Sequence, residues 1–399
     1  MMKAKKYIQK WSISLFLLCG LLSACTEIEY KEIENPAYIR VFNNLNYEIQ
    51  LDNRFEKAPF LTMLIDPVFD ADSIPVSAAI VGDFLDKRDK YAAPYPVHSA
   101  SSTSKKNPEY PGKENVLVGP ILNGFDLSSW AQITAGKHRV VFMYRPLNDV
   151  PFFELDARNK KNIAIDQQIE LTPKEVYTMH VVQKDYTTKE NVLILRLENF
   201  TKLPFADSLV YVNFYNMSAK GFRESDDLLK PNTDNGYRTL RYGIANEMNV
   251  YLSLFSGLPI NVDKPISGYK GLYLTTMERN TENNSVSPYA SFPLFPAAGS
   301  TGTIHTNMVE VISLIAPGLD FQVSVNSSYD PPKGLAASLT FSGDGTENTG
   351  VAFFPNMIIN THSGIYNPRS FSSVNTVEFV NGEAYLTTIQ RKYDPPIYK

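Results

Sequence analysis

The sequence predicts an all-β protein: two tandem β-sandwich domains of Ig/transthyretin-like type, with long loops, behind an N-terminal export segment. Three observations lead there. Runs of β-branched and aromatic residues bounded by Pro, Gly, Asn and Asp recur along the whole chain. No long stretch places its apolar residues at helical spacing. A strand–turn–strand pattern occurs once in each half, as an internal repeat would give.

The first 24 residues read as a targeting segment. Lys3, Lys5, Lys6 and Lys10 form a basic start without any acid, and Ile13 to Leu22 is an apolar run. A membrane-spanning helix needs roughly 20 apolar residues, so this run fits a cleaved signal better than a permanent span. Leu22-Ser23-Ala24-Cys25 follows. It resembles the lipobox of bacterial lipoproteins, which implies cleavage before Cys25 and lipid on its thiol. Each buried methylene of such a lipid contributes about 0.8 kcal/mol to membrane attachment. Cys19 leaves with the signal, so the mature chain has no disulfide, thiol nucleophile or cysteine metal site. The segment 25–36 is an acidic tether carrying Glu27, Glu29, Glu32 and Glu34. It resembles the export signals that send lipoproteins to the cell surface in the phylum whose outer membranes carry Sus-type polysaccharide-uptake systems. The expectation is a lipid-anchored outer-membrane protein facing outward, with a generic periplasmic tether as the alternative.

Loss of the signal removes four lysines and no acid, which moves the formal net charge from −4 to about −8. No basic run appears, so nucleic acid is not an expected partner. Aromatic content is 12%, mostly Tyr and Phe, and Pro is frequent at 26 residues, which fits strands and turns rather than helices.

The strands expected in order include Tyr38–Phe42, Val140–Tyr144, Tyr177–Val181, Val192–Leu197, Leu209–Phe214, Val250–Leu254, Val309–Ile312, Phe321–Val325 and Val377–Phe379. Short helices are expected near 83–88 and 224–229. Phe42-Asn43-Asn44-Leu45 aligns with Phe214-Tyr215-Asn216-Met217, and Ile169 to Tyr177 aligns with Val377 to Tyr385. Pro173-Lys174 and Asn381-Gly382 stand at the turns, and Asn-Gly is a favoured two-residue hairpin turn. This sets domains at 37–200, with a loop insertion over 86–130, and at 208–399.

The opening strands, the Ala135-Gly136 turn before His138 to Phe142, and the junction at Leu193 to Asn199 carry a family resemblance. Each unit resembles the extracytoplasmic β-sandwich family called domain of unknown function 4397. The resemblance implies a fold and an extracytoplasmic location, and no catalytic residues. The insertion in the first unit and the missing Ala-Gly turn in the second depart from it.

The 86–130 insertion holds Tyr91, Tyr95, Tyr110 and Trp130, the last being the only tryptophan left after signal removal. Aromatics on loops can stack on the apolar faces of sugar rings, so these four are candidate ligand-binding residues for a glycan. The plain alternative is that they pack the loop onto the sandwich. No histidine has a ligand-spaced partner, and no Gly-x-Ser-x-Gly elbow occurs, so neither metal, cofactor nor catalytic site is expected. Glu224, Asp226 and Asp227 read as solvated acids, and 341–350 as a hairpin loop rich in oxygen ligands. The two Tyr-Asp-Pro-Pro segments, at 329–332 and 393–396, read as strand ends. Asp72-Ser73-Ile74 and Asp207-Ser208-Leu209 resemble acceptor motifs for O-glycosylation of exported proteins. The functional expectation is a non-enzymatic accessory protein that binds glycan beside Sus-type transporter components. The alternative is a structural or adhesive envelope protein that binds other proteins.

Overall fold

The computed structural model describes residues 32–47, 49, 51, 54–88, 95–96, 116–225, 243–256, 264–282, 284–294 and 296–298. It also describes segments 303–304, 309–315, 317–318, 335–340, 352–353, 362–363, 367–368 and 373–390. Residues 35–399 form one compact unit. Cys25, Tyr91, Tyr110, Asp226, Asp227, Phe321–Val325, the 341–350 loop and both Tyr-Asp-Pro-Pro segments lie outside the described residues.

The first sandwich contains β1 (Ala37–Asn43), β2 (Leu61–Ile65), β3 (Ile80–Leu85), β4 (Ala131–Ile133), β5 (Gly136–Tyr144), β6 (Ile163–Leu171), β7 (Val176–Gln183) and β8 (Asn191–Glu198). Its sheets run β8-β7-β1-β4 and β6-β5-β2-β3. The second contains β9 (Leu209–Asn216), β10 (Glu247–Phe255), β11 (Leu272–Glu278), β12 (Ala290–Pro293), β13 (Val309–Ile315), β14 (Leu335–Thr340), β15 (Ala352–Phe353), β16 (Ser373–Val380) and β17 (Glu383–Gln390). Its sheets run β12-β9-β16-β17 and β11-β10-β13-β14-β15. With β15 set aside, the two orders are the same. In each unit the opening strand pairs in parallel with the penultimate one, β1 with β7 and β9 with β16.

Alternation builds each core. Ile39, Val41, Met179 and Val181 face Leu61, Met63, Ile65, Val140 and Phe142 in the first sandwich. Val212, Phe214, Val377 and Phe379 face Val250, Leu252, Ile312 and Leu314 in the second. The chain crosses between sheets at the Ala-Gly turn, where Gly136 has φ +123°, a conformation that a side chain makes costly.

Three expectations are corrected here. Residues 83–85 continue strand β3 rather than starting a helix. Asp83 is buried there, accepting from Thr62 Oγ1, from the N–H of Phe152 and from Arg145. The two closing motifs are not equivalent. Thr172–Glu175 is a corner that carries the chain from β6 in one sheet to β7 in the other, whereas Asn381-Gly382 closes the β16–β17 hairpin within one sheet. The counterpart of that hairpin is β7–β8. The opening strands correspond one residue off the expected alignment. Asn43 Oδ1 accepts from the N–H of Leu45 and Asn216 Oδ1 from that of Ser218, and their amides donate to Pro59 O and Ala245 O, each two residues before the next strand. Phe42 therefore matches Tyr215, and Phe214 points to the opposite face, as a one-residue slip in a strand requires.

Candidate functional site

The two sandwiches lie side by side. The outer face of β8-β7-β1-β4 packs on the outer face of β12-β9-β16-β17, so every residue of β7 is buried. At the near end, where the chain arrives at Asn35 and Pro36, an apolar plug seals the seam with Tyr38, Trp130, Val176, Phe200, Phe205 and Val374. At the far end Val182, Ile194, Tyr215, Met217, Val380 and Tyr385 close it. Backbone bonds from Tyr186 to Lys220 O and from Lys220 to Lys184 O, and amide bonds from Asn46 to Val380 O and from Asn381 to Asn46, tie the far ends together.

Between the plugs lies a buried polar layer. Arg40, Thr178 and Arg196 stand abreast on β1, β7 and β8, with His180 and Phe42 one step further along. Glu378 enters from β16, at the position matching His180 on β7. It accepts from Arg88 Nη1 at 2.5 Å and Arg196 Nη2 at 2.7 Å, and Arg196 Nε donates to Glu198 at 2.9 Å. His180 Nε2 lies 3.2 Å from Glu378 Oε1, without hydrogen-bond geometry. Arg88 also donates to Thr387, and its backbone carbonyl accepts from Tyr385 Oη. Arg88 thus straps the segment after β3 onto the second sandwich.

Burial and charge act against each other in this layer. Burial raises the Glu378 carboxyl, but His180, protonated at the low pH where that carboxyl titrates, together with Arg88 and Arg196 holds it well below the usual range. Burial pushes His180 down to about 4 against the pull of Glu378, so the ring is neutral. Burial pushes Arg40 down to about 9, opposed by the more distant Glu198 and Glu378. Arg196 moves upward, because Glu198 and Glu378 outweigh its own burial.

Of the four residues expected on a glycan platform, the two described are buried, and this is a correction. Trp130 is 1% exposed in the near plug, where it packs on Phe200 and lies under the Arg40 guanidinium at 3.9 Å. Its segment folds back because Gly119 and Trp130 share a backbone bond and Asn123-Gly124 turns a short hairpin, with φ of 47° and 84°. Tyr95 exchanges both backbone bonds with Val41, and its ring fills the space beside Gly82. Ser73 and Ser208, the serines of the two acceptor-like motifs, are exposed in turns. His138 is held by Asp66 at 2.7 Å and by Thr134 O at 2.8 Å, so both ring nitrogens are occupied.

Two exposed features escaped the sequence reading. Between β1 and β2, at the far end, Leu51 is 82% and Phe55 88% exposed, with Arg54 against the Phe55 ring. On the outer sheet of the second sandwich, Tyr251 and Tyr273 meet edge to face. Tyr273 Oη lies 2.7 Å from Thr276 Oγ1, which donates to Asn249 Oδ1. Among the described residues no three His, Cys, Asp or Glu side chains form a metal-binding group, and no helix is long and apolar enough to cross a membrane.

No protein-family model matches the chain, and no curated protein matches it. Solved structures similar to it include a candidate cell-adhesion protein of Bacteroides uniformis, 9% identical over 90% of this chain and 100% of that one, with a TM-score of 0.18. Candidate cell-adhesion proteins of Parabacteroides distasonis (7%, 90% and 99%, 0.18) and Bacteroides ovatus (11%, 92% and 100%, 0.17) are similar to the same degree. At such scores the functional reading rests on the geometry above.

Proposed function

We propose that the chain is a non-enzymatic, lipid-anchored protein of the outer membrane, facing outward, that acts as an adhesive element and contacts other proteins through its far end. The carrying observation is that Leu51 and Phe55, between β1 and β2, stand in water at the end opposite Asn35. Apolar side chains that exposed favour burial against a partner, at about 25 cal/mol per Å². A block cross-linked by a buried seam suits a displayed spacer. The burial of Trp130 and Tyr95 weakens the glycan reading, and the occupied His138 speaks against hydrolytic chemistry there. Glycan capture keeps one support, the Tyr251–Tyr273 face with Thr276 and Asn249, whose mixture of ring and hydroxyl groups suits a sugar.

Cells displaying the wild-type chain should adhere to a protein-coated surface, and a Leu51→Asp/Phe55→Asp variant should lose that adherence at equal display. Affinity electrophoresis on a polysaccharide panel decides the second reading. Retardation that Tyr273→Ala abolishes, with adherence untouched by the far-end substitutions, would replace adhesion with glycan capture.

A further inference from the structure

We infer that the buried seam binds one small monovalent anion, of halide size, against the Arg40 guanidinium. The charges of the layer do not balance. Among the described residues, Arg40, Arg88 and Arg196 face only Glu198 and Glu378, and His180 is neutral. Both carboxylates are engaged by Arg88 and Arg196, at 2.5 to 2.9 Å. Arg40, 5% exposed, donates to Thr178 Oγ1 at 3.4 Å and to nothing else among the described residues, and its Nε has no partner. A guanidinium cannot shed its proton as a buried lysine does, so the excess charge stays. Aromatic faces cover it, Trp130 at 3.9 Å and Phe42 at 5.0 Å, and these offset only part of the lost hydration.

Other buried hydrogen-bonding groups of the seam are also unused. Arg196 Nη1, Trp130 Nε1 and Asn44 Nδ2 are, like Arg40 Nε, buried donors without partners; Trp130 lies against Arg40 and Asn44 against His180. Unpaired buried acceptors on the seam strands and their ends are Gln183 Oε1, Asn191 Oδ1, Asn199 Oδ1 and Asn213 Oδ1, as many as the donors, so the uncompensated charge and not a donor count selects the sign of the ligand. Arg40 and Arg196 flank Thr178 in one row, so two buried guanidiniums, each with an unpaired N–H group, stand on either side of it. One surplus positive charge among the described residues is complemented by an anion and not by a cation. The surplus of one sets the valence, and the two rings against Arg40 set the size. The depressed Arg40 pKa agrees with a cation that the protein leaves uncompensated.

The test uses the chain from Thr26 onward, which lacks the export segment and the lipidated cysteine. Crystals grown in sodium bromide should show an anomalous peak within hydrogen-bond reach of the Arg40 guanidinium. Melting temperature should rise with chloride or bromide and not with sodium gluconate at equal ionic strength, gluconate being too large for the site. Arg40→Leu should remove the halide-specific rise while keeping the ordinary salt response. A seam without a bromide peak, an ordered water there in place of the anion, or an equal halide rise in Arg40→Leu overturns the proposal. If Arg40→Leu does not fold, the wild-type bromide map decides alone.

Discussion

Glu378→Gln should unlock the two sandwiches. The substitution keeps shape and removes the one carboxylate that Arg88 and Arg196 share across the seam, at 2.5 and 2.7 Å. Both guanidiniums are buried, so neither can turn to water. Breaking a buried pair by removing one partner costs about 3–5 kcal/mol, against a net stability of about 5–15 kcal/mol for a typical domain. Urea unfolding of the chain from Thr26 onward, followed by far-ultraviolet circular dichroism and by fluorescence, measures it. Trp130 reports on the seam, because it sits in the near plug. The midpoint should fall, and the fluorescence change should come before the loss of strand signal. Asp166→Asn is the control. It removes the half-exposed pair with Arg139, an arrangement that contributes about 0–1 kcal/mol. Adding Arg88→Met to Glu378→Gln should recover part of the loss, since one stranded charge leaves with it. A Glu378→Gln loss no larger than that of Asp166→Asn would refute the reasoning.

Acid should weaken the protein through His180. Its folded pKa of about 4 lies below the ordinary 6.5, so between those values the unfolded chain binds more protons and stability falls as pH drops. The full loss from this group is about 3 kcal/mol, at about 1.4 kcal/mol per pH unit. Glu378, also held low, adds a loss at lower pH, beginning where the unfolded carboxyl takes its proton. Melting temperature against pH should decline below 6.5 in the wild type and stay level down to about 4.5 in His180→Asn. Trp130→Ala should cost about 3–5 kcal/mol in urea unfolding, as large-to-small core changes do, and should leave adherence of the folded fraction unchanged.

Much of the fold was legible because strands announce themselves one residue at a time. Tyr38–Phe42 and Leu209–Phe214 show alternation flanked by turn formers, and the Ala135-Gly136 turn marks a true sheet crossing. The seam was harder to read. Arg40, His180 and Arg196 look like solvent-facing positions of half-buried strands, yet each has an apolar neighbour on the same face, Tyr38 and Phe42 beside Arg40, Val182 beside His180 and Ile194 beside Arg196. That is the signature of a strand covered on both sides. Which face received the second sandwich depends on pairing between residues nearly 200 positions apart, and alternation carries no information at that range. The Phe42–Phe214 alignment failed for the same reason: identity favoured one register, while the Asn43 and Asn216 side-chain bonds fix the other. Trp130 and Tyr95 misled because a long stretch with aromatics reads alike whether it stands in water or folds back against Gly82 and Phe200.

The side-by-side arrangement is the claim on which the rest depends, and small-angle X-ray scattering of the chain from Thr26 onward tests it directly. A single packed block of this length has a radius of gyration of about 21 Å, and the distance distribution should show one maximum. A radius several ångströms larger, with a second maximum at the spacing of two separate sandwiches, would contradict the seam and the account built on it.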